Sequence, residues 1–125
     1  LAAVEKTKTI NFVYFNRDEK RAVELKRVEN LRNIYLSGLL DYLESQLPGG
    51  VIIIFGSYSR GEDTKNSDID IAVIGRMDKI LDLNAYEGAL NRVINVNFYD
   101  SWGKIHKHLR NNVLNGIILT GGVEL

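Results

Sequence analysis

Residues 56–75 read Gly-Ser-Tyr-Ser-Arg-Gly-Glu-Asp-Thr-Lys-Asn-Ser-Asp-Ile-Asp-Ile-Ala-Val-Ile-Gly, GSYSRGEDTKNSDIDIAVIG. From Asp68 to Ile74 acidic and apolar residues alternate with the period of a β-strand, so Asp68 and Asp70 share one face. The strand rise sets their carboxylates about 7 Å apart. Two unit charges at that distance repel by about 2 kcal/mol at an effective dielectric near 20. A core would not accept that without a proton, water or a cation. Carboxylate oxygens are the hard ligands that magnesium prefers, and a site with few protein ligands leaves positions for water and substrate phosphate. An EF-hand is excluded, because Val73 stands where that loop needs glycine. The alternative for the pair alone is a solvent-facing edge strand.

Immediately upstream, Val51-Ile-Ile-Ile-Phe55 is a wholly apolar run bounded by glycines, the pattern of a strand covered on both faces. Gly56 ends it and Ser57 opens a helical turn. Glycine lets backbone approach a ligand closely, a helix start offers free N–H groups, and a serine hydroxyl adds one donor to a phosphate oxygen. Gly61 has Walker spacing from Gly56, but Glu62 follows where lysine is required, so this is a different phosphate device. Tyr58 and Arg60 flank Ser57 and are candidates to touch the same ligand.

The two halves together, Gly56-Ser57, ten residues, then Asp68-Ile-Asp70 entering an apolar strand, resemble the signature of the DNA polymerase beta-like nucleotidyltransferase superfamily. In size the chain is similar to the minimal, antitoxin-like nucleotidyltransferases of prokaryotes. The resemblance implies an α/β (α+β) nucleotidyltransferase fold, a short mixed sheet flanked by helices. It also implies transfer of a nucleotidyl group from a nucleoside triphosphate, ATP first among them, to a protein or nucleic-acid hydroxyl. Gly56 and Ser57 would hold the triphosphate, and Asp68 and Asp70 would coordinate Mg2+. Such enzymes add a third acid from a later strand. Here that strand reads Ile94-Asn-Val-Asn-Phe98, with Asn97 as first match and Asn95 as second on the same face. Neither carries charge or accepts a proton usefully near neutral pH. Asp100 would face the other way unless a bulge turned it. Two readings follow: a working transferase with an altered third ligand, and a nucleotide-binding regulator or antitoxin-type partner of a cognate toxin protein with weakened catalysis.

Outward from this stretch, Thr7–Phe15 is β-branched and aromatic and predicts a strand. Leu25, Val28, Leu31, Tyr35, Leu39 and Tyr42 recur at helical spacing and predict a long helix from Asp18 to Leu47. Asn16 or Asp18 would cap it, Ser37-Gly38 would bend it, and Pro48-Gly49-Gly50 would end it. The alternating charges from Arg17 to Glu29 read as a solvated face. Residues 1–47 thus form an N-terminal strand and long helix, and 48–125 the transferase-like domain. The front resembles the last strand and linking helix of proteins that join a winged-helix DNA-binding domain to a nucleotidyltransferase, and a start on Leu1 fits that; DNA would be read only through that further domain. The alternative is a strand and helix that pack on the core or pair two subunits as a homodimer. Downstream, a helix is predicted over 83–93, a strand over 94–99, a helix over 102–114 in which Trp102, Leu109 and Val113 face the core, and a small strand from Ile117. His106 and His108 would project to different faces of that last helix.

Composition sets outer limits. Sixteen basic and sixteen acidic residues give zero formal net charge, so no global field draws in nucleic acid or an anionic membrane. Without cysteine, disulfides and thiolate zinc sites are excluded. No apolar run reaches a membrane span, and a soluble cytoplasmic protein is the expectation.

Overall fold

The computed structural model describes residues 2–122, with side chains from Arg17 onward. Helix α1 (Ala2–Ser37) and helix α2 (Leu39–Gln46) meet at Gly38, whose φ of 81° no other residue type adopts cheaply. The bend is secured by Ser37, whose Oγ donates to the Ile34 carbonyl and accepts from the Leu39 N–H. Pro48-Gly49-Gly50 then turns the chain into strand β1 (Val51–Phe55). A short helix α3 (Gly56–Arg60), strand β2 (Ile69–Ile74), helix α4 (Asn84–Leu90) and strand β3 (Ile94–Tyr99) follow. A 3₁₀ turn (Trp102–Lys104), helix α5 (Lys107–Leu114) and strand β4 (Ile117–Thr120) complete the described chain.

The strands form one mixed sheet in the order β3-β2-β1-β4. β1 lies antiparallel to both β2 and β4, while β2 and β3 run parallel. The apolar β1 and the alternating β2 therefore occupy the centre, as their compositions require. Strand parity divides the buried side chains into two layers. Ile52, Ile54, Ile71, Val73 and Ile94 point to one face, where Ile34, Leu39, Leu43 and Leu47 cover them. Ile53, Phe55, Ala72 and Ile74 point to the other, against Ile105 and Val113 with Trp102 and Leu109 alongside. Leu39, Leu43 and Leu47 precede Pro48 in sequence, yet they are buried against the sheet.

Four expectations are corrected. The strand over Thr7–Phe15 is helix, continuous with the rest of α1. No proline or glycine separates the segment from the helical pattern after Asp18, and extending a helix costs far less than starting an element anew. Asn16 and Asp18 accordingly lie inside α1 rather than capping it, and the wing-strand likeness loses its strand. The helix over 102–114 is interrupted: α5 starts only at Lys107, and His106 precedes it as its cap, its Nδ1 accepting from the His108 N–H. The two imidazoles therefore stack with centroids 5.4 Å apart instead of diverging.

Candidate active site

The site lies where the ends of β1, β2 and β3 meet on the second face of the sheet. Register decides which side chains converge: Phe55 is paired with Asp70, and Asp70 with Asn95. Asp68 precedes β2 and is exposed, while Asp70 is half-buried. The Asn95 side-chain amide donates to Asp68 Oδ2 at 3.0 Å and to Asp70 Oδ1 at 3.2 Å. Both carboxylates thus present an oxygen to one donor group, the place a cation would take. Gly56 closes the site from β1. Its φ is 81°, and a Cβ there would stand 2.6 Å from Asp70 Oδ2, so backbone passes directly beside the carboxylate. Ser57 follows at the first turn of α3, where N–H groups lack intrahelical acceptors.

Asn97, the first match for the third acid, is exposed and paired with Ala72, one step down the strand from the aspartates. Asn95, the second match, makes the contacts. Asp100 is not recovered by a bulge. The β2–β3 register is unbroken through Tyr99, and the Asp100 carboxylate is engaged by Lys104 Nζ at 2.9 Å. A cleft of about 470 Å³ opens beside Asp70, with Asn95, Asn97, Lys79, Leu83 and Phe98 among its other walls.

Two residues expected near the ligand lie elsewhere. Tyr58 is a core residue, 3% exposed, with its hydroxyl directed at the Asn30 carbonyl and its ring 5.9 Å from the Arg92 guanidinium carbon. Helical geometry at the first turn of α3 turns Tyr58 inward while its neighbour Ser57 stays at the surface. Burial, and after it the Asp63 charge, pushes its phenol above the usual tyrosine range. Arg60 pairs with Glu62 and lines a groove against α1 whose walls include neither aspartate.

Sequence patterning missed a buried ionic knot behind the loop that carries Asp68. The Asp63 carboxylate is fully enclosed and receives Asn30 Nδ2 at 2.8 Å, Arg92 Nη2 at 2.9 Å and Lys26 Nζ at 3.4 Å. Burial opposes its ionisation, but Arg92, Asn30 and Lys26 outweigh that and hold the carboxyl below the usual aspartate range. Asn30 also donates to the Tyr58 carbonyl, and Arg92 to the carbonyls of Lys65 and Asn91. Lys26, read as part of a solvated face, therefore has an inward partner. Nothing in the period of α1 marks it, since its partner lies far along the chain.

A turn at a strand end, an Asp-x-Asp strand and a parallel neighbour bearing the third side chain form one constellation. Residues 36–120 match the family described as a nucleotidyltransferase domain. The chain belongs to that family. Similarity also extends to a Methanocaldococcus jannaschii protein named "Putative protein adenylyltransferase", 50% identical over 38 residues. That match covers 29% of this chain and 38% of the relative's length. In this nucleotidyltransferase domain the donor set has the chemistry that suits a hard divalent cation, two carboxylates and an amide whose oxygen a side-chain rotation would present. Among the described residues no group of three or more His, Cys, Asp or Glu could hold a metal ion, and no helix is long and apolar enough to cross a membrane.

Proposed function

We propose that this domain binds a magnesium-complexed nucleoside triphosphate and transfers its nucleotidyl group to a hydroxyl, with ATP as donor and a protein as acceptor. One observation carries the reading: Asp68 and Asp70 meet at the Asn95 amide, and Asp70 stands directly beside the Gly56 backbone. Gly56 and Ser57 would hold phosphate oxygens, with Asp68, Asp70 and the Asn95 amide oxygen as the ligand set for Mg2+. When bound, the metal supplies positive charge against the triphosphate and the leaving pyrophosphate. The acceptor oxygen bonds to the α-phosphorus, the α–β bridging P–O bond breaks, and pyrophosphate departs with its electron pair. The hydroxyl proton passes to water, because the third position offers an amide rather than a base. ATP and a protein acceptor rest on the name of the archaeal relative.

The test is magnesium-dependent incorporation of label from [α-32P]ATP into protein. Wild type should label and Asp68→Asn should not. Equal labelling by both would overturn the assignment. The second reading, a binder with little turnover, is favoured by the neutral Asn95 where a carboxylate would serve. It predicts that ATP binds to wild type without label transfer, and that Asn95→Asp brings transfer on.

For domain limits, we place the start of the transferase unit before Val23 rather than at Pro48. Lys26, Asn30 and Ile34 pack on its loop and core.

A further inference from the structure

The family match begins at residue 36, but the loop that carries Asp68 is held from outside it, by α1. Two independent contacts make the hold. At Gly61, φ is 71° and a Cβ would collide with the Val23 carbonyl and the Arg27 N–H, so the loop backbone lies flush on the α1 backbone. One turn farther along α1, Lys26 and Asn30 reach the enclosed Asp63 carboxylate, and Lys26 Nζ also donates to the Asp63 carbonyl. From the opposite side Arg92, two residues before β3, clamps the same carboxylate and the Lys65 carbonyl. The loop between the phosphate turn and Asp68 is therefore pinned at residues 61, 63 and 65, to α1 on one side and to the segment leading into β3 on the other. Asn95, three residues after Arg92, meets Asp68 from that second element.

Resting on the nucleotidyltransferase reading above, we propose that Asp63 is a positioning residue. Through Lys26 and Asn30 of α1 and through Arg92 it fixes where Asp68 stands relative to Gly56-Ser57 and Asn95, so that α1 sets the activity from outside the ligand set. A buried carboxylate with three cationic or amide donors resists displacement, because withdrawing any one leaves charge without compensation in a dry environment. The phosphate turn has a bond of its own, Ser59 Oγ to the Gly56 carbonyl within α3, and shares Asn30 with the knot, through the Tyr58 carbonyl. Loosening the knot at Lys26 should thus misplace Asp68 while leaving Gly56 and Ser57 in position, whereas loss of Asn30 also frees the Tyr58 carbonyl of α3.

The full chain should be compared as wild type, Asn30→Ala, the milder Lys26→Met, and Leu25→Ala, an exposed α1 control. Circular dichroism first establishes folding. Hydrogen exchange of the amides from 62 to 68 is then read, together with the KM and kcat for [α-32P]ATP in magnesium. We expect about tenfold faster exchange in that loop and about tenfold lower kcat for Asn30→Ala, and a smaller change of both for Lys26→Met with its KM within about twofold of wild type. Leu25→Ala should match wild type. Folded variants with unchanged loop exchange and unchanged kcat would overturn the proposal, as would a rise in KM alone or unfolding of both Asn30→Ala and Lys26→Met, which would leave the knot a purely structural element. A wild type that neither binds nor transfers nucleotide defeats the functional reading instead. In that case the exchange measurement alone decides the positioning role.

Discussion

At Gly56 two constraints coincide, a left-handed backbone and the Asp70 carboxylate against the Cα. Alanine there would strain the backbone by about 1–2 kcal/mol and drive its methyl into Asp70 Oδ2. Gly56→Ala should lower the melting temperature by about 4–8 °C and weaken ATP binding; calorimetry and a binding titration read both. Ser57 tolerates more, since its side chain donates to no protein group among the described residues and can be shortened without opening a buried contact. Asn95 is the more informative position. Its amide satisfies both carboxylates at once, and Asn95→Asp would replace two hydrogen bonds by repulsion among three carboxylates. Without divalent cation the variant should be less stable than wild type by about 1–2 kcal/mol. Magnesium should return that loss, because a ligand that binds only the folded state stabilises it by mass action. Melting curves with and without magnesium chloride measure the difference, and an identical magnesium response in both proteins would rule out a cation at this point. That Asn95 and not Asn97 holds this position was beyond reading from one strand alone. Both asparagines share a face, and only the pairing of β3 with β2 chooses between them.

Among the elements, the strands were the most legible. β1 declared itself by an unbroken apolar run and β2 by alternation, and these local signals agree with their central places in the sheet. The strand-to-helix turn at Gly56-Ser57 was legible too, being set by adjacent residues. α1 was not, over its first half, because β-branched and aromatic residues from Thr7 to Phe15 carry a local preference that continuity with a following helix overrode. The knot at Asp63 was invisible for another reason, its four members Lys26, Asn30, Asp63 and Arg92 coming from three separated segments. It leaves a measurable trace in pH. A carboxyl whose folded-state pKa is depressed contributes stability that is present above its unfolded value, about 4, and lost as pH falls through the lower folded value. Asp63→Asn should therefore be less stable than wild type near pH 7 by about 3 kcal/mol, and the gap should narrow steadily below about pH 4. Urea unfolding at pH 7 and at pH 3 tests the sign. A gap that widens on acidification would mean that Arg92 and Lys26 do not hold this carboxylate in its charged form.

Taken as a whole, the sheet is covered unequally. One face carries α2, the end of α1 and the partly buried residues of α4, while the other is covered by α5 and the 3₁₀ turn around Ile105, Val113, Trp102 and Leu109. The aspartates occupy the second face beyond that cover, and this explains how a strand so apolar on one side can carry two carboxylates on the other. Stability and ligand binding should then separate by face. Leu43 is fully buried in the larger cluster, and Leu43→Ala should cost about 3–4 kcal/mol by removing methyl groups from a site with little room to relax. Val113→Ala, in the smaller cluster, should cost about 1–2 kcal/mol. Neither side chain belongs to the group around Asp68, Asp70 and Asn95, so the stabilisation gained from magnesium and ATP should stay the same in both variants although their starting stabilities differ. Thermal unfolding with and without magnesium-ATP reads the two quantities in one experiment. If Val113→Ala lost that ligand-dependent gain while remaining folded, α5 would be acting on the site through the sheet, and the open face would no longer account for the independence of site and core.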